Sequence, residues 1–240
     1  MKPLFFVSDI HLGTGNRQEQ HRRSASFCRF LSHVETHQGD LIIVGDLFDF
    51  WFEYRHVIPR RFLDALMALR DLVNRGAEVH FIGGNHDFWL NETFTDDLGI
   101  VVHPDSYSME REGKRYLITH GDGLDRSDRG YRLLKKILRN PFNTRLFRLF
   151  HPDWGIALAD FASNLSKKHQ PFEGDDAGYI AFAEAKLAAG YNGVIMGHTH
   201  RPLYHNAHEG VYLNLGDLID NQSYGLLEDG ILQLQQWTDE

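Results

Sequence analysis

Asp40-Leu41-Ile42-Ile43-Val44-Gly45-Asp46-Leu47-Phe48-Asp49 is a short apolar run that ends abruptly in glycine and carboxylate. Such a run predicts a buried strand. Asp46 then stands where strand gives way to loop, the edge at which open α/β sheets build their sites. One carboxylate has two oxygens, so Asp46 is suited to bridge two metal ions about 3.5–4 Å apart.

The same design recurs in both directions. Leu4–Val7 predicts a first strand that delivers Asp9 and His11. These are two residues apart, so an extended segment would turn both to one face. Glu78–Ile82 predicts another strand, which runs through Gly83-Gly84 into Asn85-His86-Asp87. Asn85 offers a neutral amide oxygen to a metal, and His86 a proton donor beside it. A hairpin of Tyr107–Glu110 and Arg115–Thr119, closed at Glu112-Gly113, ends in His120. Gly193–Met196 predicts a late strand leading to His198 and His200. Helical spacing covers Arg22–His37 and Pro59–Asn74, and Val211–Leu215, Tyr224–Leu227 and Ile231–Trp237 close the chain as strands. Phe48, Phe50, Trp51 and Phe52 form an aromatic cluster suited to core packing or, alternatively, to the wall of an apolar site. Cys28 on the first helix is expected to be a packed small side chain.

Residues 124–190 are mostly helical by pattern and are expected to form a cap inserted between two ligand-bearing strands. From Arg129 to Lys168 nine basic residues face only Asp153 and Asp160, about +7 in a chain of net charge −8. Such asymmetry suits a local anionic partner or a solvated helical face. The acidic balance elsewhere argues against a nucleic-acid binder. With 240 residues and one cysteine, a single domain without an internal disulfide is expected. The N-terminus turns polar too soon for a signal peptide and no run is long enough for a membrane span, so a cytoplasmic protein is expected. Nothing in the pattern sets an oligomeric state.

Five polar clusters thus end five strands: Asp9/His11, Asp46/Asp49, Asn85/His86, His120 and His198/His200. Mixed imidazole and oxygen donors suit Mn²⁺, Fe²⁺, Zn²⁺ or Co²⁺. These blocks resemble the calcineurin-like metallophosphoesterases, whose pattern is D-x-H, G-D-x-x-D, G-N-H-D/E, H and G-H-x-H. The resemblance implies an α/β sandwich of two central mixed sheets flanked by helices. It implies that Asp9, His11 and His200 hold one ion, that Asn85, His120 and His198 hold a second, and that Asp46 bridges them. It also implies that His86 sits by the substrate phosphate and that Asp49 orients a histidine, His86 foremost. The ions would activate water and clamp phosphate oxygens, with no covalent intermediate. Another reading is a scaffold of the same fold that has lost catalysis, which the full set of ligands opposes.

A narrower resemblance joins Ser8-Asp9-Ile10-His11-Leu12, Gly45-Asp46-Leu47-Phe48-Asp49, His120-Gly121-Asp122 and Gly197-His198-Thr199-His200-Arg201-Pro202 to the UDP-2,3-diacylglucosamine hydrolases of lipid A synthesis. That family cleaves the pyrophosphate of a UDP-linked diacyl sugar, depends on Mn²⁺, and works peripherally at the cytoplasmic face of the inner membrane. By that resemblance Asn85, His86, Asp128, Tyr131, His198 and Arg201 contact substrate. Ser166, Lys167 and Lys168 are assigned by their place in the cap. The best-known members carry Arg where this chain has His86. The alternative substrate class is another phosphomonoester or phosphodiester, such as a nucleotide or cyclic nucleotide.

Overall fold

The structure is a computed structural model and describes residues 1–124, 135, 137, 139–157 and 176–238. Asp128, Tyr131, Ser166, Lys167 and Lys168 lie outside the described residues, as does much of the expected cap.

Two sheets face each other. The first has six strands in the order β11-β10-β1-β2-β3-β4 and the second five in the order β5-β6-β7-β9-β8. β1 (Leu4–Val7), β2 (Asp40–Val44), β3 (Val79–Ile82) and β4 (Val101–His103) run parallel. β10 (Ser223–Glu228) and β11 (Ile231–Gln236) close that sheet antiparallel. In the second sheet β6 (Lys114–Thr119), β7 (Gly193–Met196) and β9 (Gly210–Asn214) are parallel, with β5 (Ser106–Arg111) and β8 (Leu203–Ala207) antiparallel at its edges.

The central strands are apolar on both faces because both faces are covered. Phe5, Val7, Leu41 and Ile43 pack outward under α1 (Arg17–Thr36) and α2 (Leu63–Asn74). Their alternates Leu4, Phe6, Ile42 and Val44 pack between the sheets against Ile118, Ile195 and Leu213. Tyr179, Ala183 and Leu187 of a late helix, Ala177–Ala188, cover the far face of the second sheet. That helix therefore belongs to the flanking layer, although the sequence pattern runs the cap to residue 190.

Of the expected cap, the helix Pro141–Phe147 and a helical stretch over 152–157 are described. Phe147 rests on Phe50, Phe52 and Trp89, with ring centroids 6.1, 4.6 and 5.8 Å away. Phe48 and Trp51 point the other way, buried against Phe62 and Phe94, and Phe52 is buried as well. The aromatic run thus divides its faces between core and cap. Cys28 is half-buried, and burial pushes its thiol pKa up, as suits a packed side chain.

Candidate metal centre

Parallel strands release their C-terminal loops at one edge, and here the loops after β1, β2, β3, β6 and β7 meet. The first two continue side by side: Asp9 N donates to Gly45 O, His11 N to Asp46 O and Leu12 N to Leu47 O, at 3.2, 3.0 and 2.8 Å. In the second sheet the loops after β6 and β7 pair in the same way, Gly197 N donating to His120 O at 3.1 Å.

Asp9, His11, Asp46, His198 and His200 all sit at left-handed backbone angles, φ 49 to 70°. Asp9 and His11 therefore share a side through two turned residues, not through the pleat of an extended segment. Side chains other than glycine rarely adopt this conformation, and it concentrates at functional sites.

Three overlapping groups of ligand atoms result among the described residues: Asp9, His11 and His200; Asp46, His120 and His198; and, between these two, His11, Asp46 and His86. In the first, His200 Nε2 is 3.4 Å from Asp9 Oδ1 and 3.3 Å from His11 Nε2. In the second, His120 Nε2 is 3.0 Å from Asn85 Oδ1 and 3.4 Å from Asp46 Oδ2, and His198 lies within reach of both His120 and Asp46. Asp46 Oδ1 accepts from His86 N at 3.0 Å. Only Oδ2 faces both groups, 3.8 Å from His11 Nε2 and 3.4 Å from His120 Nε2. A bridge through Asp46 would therefore use one oxygen, whereas the sequence argument used two.

The donor set fits divalent cations. His120 Nδ1 is 2.8 Å from the Val44 carbonyl, which can only accept, so Nδ1 carries the proton. Its neutral ring then points a lone pair at two more acceptors. Asp9 Oδ2 is satisfied by Ser8 Oγ at 2.5 Å and His198 N at 2.8 Å, while its Oδ1 is buried without a hydrogen bond. Buried acceptors left facing one another are costly unless a proton or cation joins them. Without a cation His11 and His120 hold protons instead. Burial lowers the pKa of His11, but Asp49, Asp9 and Asp46 outweigh it and bring it up to about 10. Burial likewise opposes His120, and Asp46 and Asp9 lift it to about 10. His198 is pushed down to about 4 by burial and by the His120 charge. Burial raises Asp9, yet the surrounding histidines bring it down to about 2.

His86 Nδ1 donates to the main-chain carbonyl of Asp49 at 2.7 Å, leaving Nε2 toward the centre, 4.0 Å from Asp46 Oδ2. The Asp49 carboxylate is closer to His11 Nδ1, 3.5 Å, than to His86 Nδ1, 3.9 Å. This carboxylate thus lies nearer His11, and the hydrogen bond of His86 to Asp49 is to its backbone. Arg201 is exposed and lies 3.7 Å from Asp176.

Asp87 has a part that motif reading passed over. It is fully buried. Its Oδ1 accepts from Asp46 N at 3.1 Å and Gly84 N at 3.0 Å, and its Oδ2 from Phe48 N at 3.1 Å. One carboxylate thus staples the Asp46 loop to the Asn85 loop. Burial and the Asp46 charge push its pKa up to about 7. Its place beside Asn85-His86 was the available signal.

The profile of the calcineurin-like phosphoesterase family matches residues 2–202. A UDP-2,3-diacylglucosamine hydrolase of Neisseria meningitidis serogroup B is 32% identical over 234 residues, 96% of this chain and 95% of the relative. One of Nitrosococcus oceani is 33% identical over 84% of this chain and 80% of the relative. One of Porphyromonas gingivalis is 36% identical over 65% of this chain, which spans 60% of that relative's length. Among solved structures, the E. coli phosphoesterase Yfce superposes over 99% of this chain and 94% of its own, with a TM-score of 0.51 at 18% identity. An archaeal phosphodiesterase does so over 97% and 98%, with a TM-score of 0.51 at 15% identity. At these identities the structural likeness speaks to the fold, and the profile match over most of the chain shows that it belongs to the calcineurin-like phosphoesterase family.

Proposed function

We propose that this protein hydrolyses the pyrophosphate of UDP-2,3-diacylglucosamine to UMP and 2,3-diacylglucosamine 1-phosphate, a step of lipid A synthesis. The observation that carries the reading is the pair of facing acceptor groups flanking Asp46, in a chain whose relatives of that name align over up to 96% of its length. Asp9, His11 and His200 would hold one divalent ion, Asn85, His120 and His198 a second, and Asp46 Oδ2 would serve both. Mn²⁺ is the assigned metal. Bound, the pair supplies Lewis acidity toward phosphate oxygens and lowers the pKa of a shared water.

The protein side chains do the rest. His86, its Nδ1–H committed to Asp49 O, holds a proton on Nε2 for a phosphate oxygen as charge develops there. Asp49 steadies His11. Asn85 and His198 border the substrate phosphates from the second group. Arg201 and the cap residues Asp128, Tyr131, Ser166, Lys167 and Lys168 are assigned to the nucleotide and sugar.

The cap supports a lipid substrate. Phe142, Leu149 and Trp154 are 72, 82 and 72% exposed, with Arg145 and Arg148 on the same segment. Apolar side chains among cations suit acyl chains and the anionic headgroups of a leaflet. The protein is thus assigned to the cytoplasmic face of the inner membrane, held peripherally, since no helix among the described residues is long and apolar enough to cross one.

Incubation with Mn²⁺ and UDP-2,3-diacylglucosamine tests the substrate. Release of UMP is expected. Hydrolysis of a simple aryl phosphodiester without UMP release would overturn the substrate and keep the family chemistry. Sedimentation with anionic vesicles tests the surface: wild type should pellet, and Leu149→Glu with Trp154→Glu should stay in solution.

A further inference from the structure

β9 ends at Asn214, and the turn that follows, residues 215–221, lies beyond the segment the family profile matches. Together with Asn214 it grips the loop carrying His198 and His200 at four points. Asn214 Nδ2 donates to Gly197 O at 2.9 Å, and Asn221 Nδ2 to His200 O at 2.7 Å. Gly216, at φ 66°, approaches Pro202 so closely that a Cβ there would stand 2.6 Å from its Cγ. Asp217 Oδ2 lies 4.0 Å from His200 Nδ1.

Asp217 is buried, and its Oδ1 accepts from Ile219 N, Asp220 N and Asn221 N at 3.0, 2.6 and 3.2 Å. That oxygen is consumed by the turn. Oδ2 takes the Asn221 amide and faces the His200 ring. Arg23 ties the same turn to the first ligand loop, donating to Ile10 O and to Asp220 Oδ2, each at 3.1 Å.

His200 is the histidine of the first group most open to solvent, its side chain 46% exposed. A ring that presents Nε2 to a cation must keep its proton on Nδ1, and a carboxylate facing Nδ1 favours that tautomer and orientation. His120 and His86 have backbone carbonyls in this role, and His11 has Asp49.

We infer that residues 214–221 form a sixth loop of the centre and that Asp217 is the positioning residue of His200. The inference rests on the two-ion reading above. Asp217→Asn keeps one oxygen for the three N–H groups of the turn while removing both the charge opposite His200 and the acceptor of the Asn221 amide, so Asn221→Ala, which removes that amide contact and keeps the charge, is its control. Protein stripped with chelator and titrated calorimetrically with Mn²⁺ supplies a readout independent of turnover. Wild type should bind two ions. In Asp217→Asn one of them should weaken about 10–100-fold, with the other unchanged and the Tm of the metal-free protein no lower than in Asn221→Ala. Wild-type affinity at both positions would overturn the positioning role. Equal weakening of both ions with a lowered Tm would also overturn it, reducing Asp217 to support of the turn. A wild type that binds no Mn²⁺ would overturn the two-ion reading itself.

Discussion

A left-handed backbone costs an ordinary residue about 1–2 kcal/mol, and the centre holds Asp9, His11, Asp46, His198 and His200 in it together. Such strain persists because neighbouring bonds over-determine the loops, Asp87 foremost. Asp46→Ala and His120→Ala should each lose turnover and bound Mn²⁺ while keeping native circular dichroism. Near wild-type activity in either would refute the assignment. His86→Ala should retain both ions, since the His86 N–H that holds Asp46 Oδ1 survives the substitution, yet lose about 10²–10⁴ in kcat. Metal analysis beside kinetics separates these outcomes. Asp87→Asn should weaken the second ion, because an amide cannot offer two acceptor oxygens to the three N–H groups now held.

At the scale of elements, the run from Phe48 to Phe52 shows how one apolar segment serves two ends. Trp51→Ala should cost about 3–5 kcal/mol of stability, as a fully buried aromatic does. Phe50→Ala, half-buried and facing Phe147 of the cap helix, should raise KM for the diacyl substrate and disturb stability less. Denaturant midpoints and steady-state kinetics distinguish the two. Several element ends escaped periodicity for local reasons. α1 begins at Arg17, well before Phe27 starts its buried apolar face, because Asn16 and Glu19 form a capping box. β4 has three residues, and β8 alternates half-buried with exposed positions at a sheet edge, so neither has the apolar run that marked the central strands.

Across the whole molecule, ions and protons compete for the same atoms. In the metal-free protein His11 and His120 titrate near 10 against an ordinary value near 6.5. Their stabilisation is complete below about pH 6.5 and is lost as pH rises toward 10. Asp87, raised to about 7, acts in the same direction over about pH 4–7, and His198, lowered to about 4, opposes it over about pH 4–6.5. Asp9, lowered to about 2, stabilises above about pH 4 and less as pH falls toward 2. Chelated protein should therefore have its highest Tm between about pH 4 and 6.5. With Mn²⁺ the alkaline decline should shrink, since the cation replaces the protons. At 100-fold excess over Kd each ion should add about 2.7 kcal/mol. A Tm unmoved by Mn²⁺ at pH 8 would contradict a bound pair.

What the amino-acid order determined by itself is the set of strand-end motifs, the α/β class and the family, because apolar runs and glycine-flanked donors are local patterns. What only the tertiary structure decided is how those donors share work. The single oxygen of Asp46 facing two groups, the staple of Asp87, the turn to Asp49's backbone at His86 and the seat of Asp217 beside His200 join residues from separate loops. These pairings depend on two sheets bringing their parallel strand ends to one edge. That juxtaposition is set by burial of both faces of each sheet, a property of the packed whole that no short stretch carries.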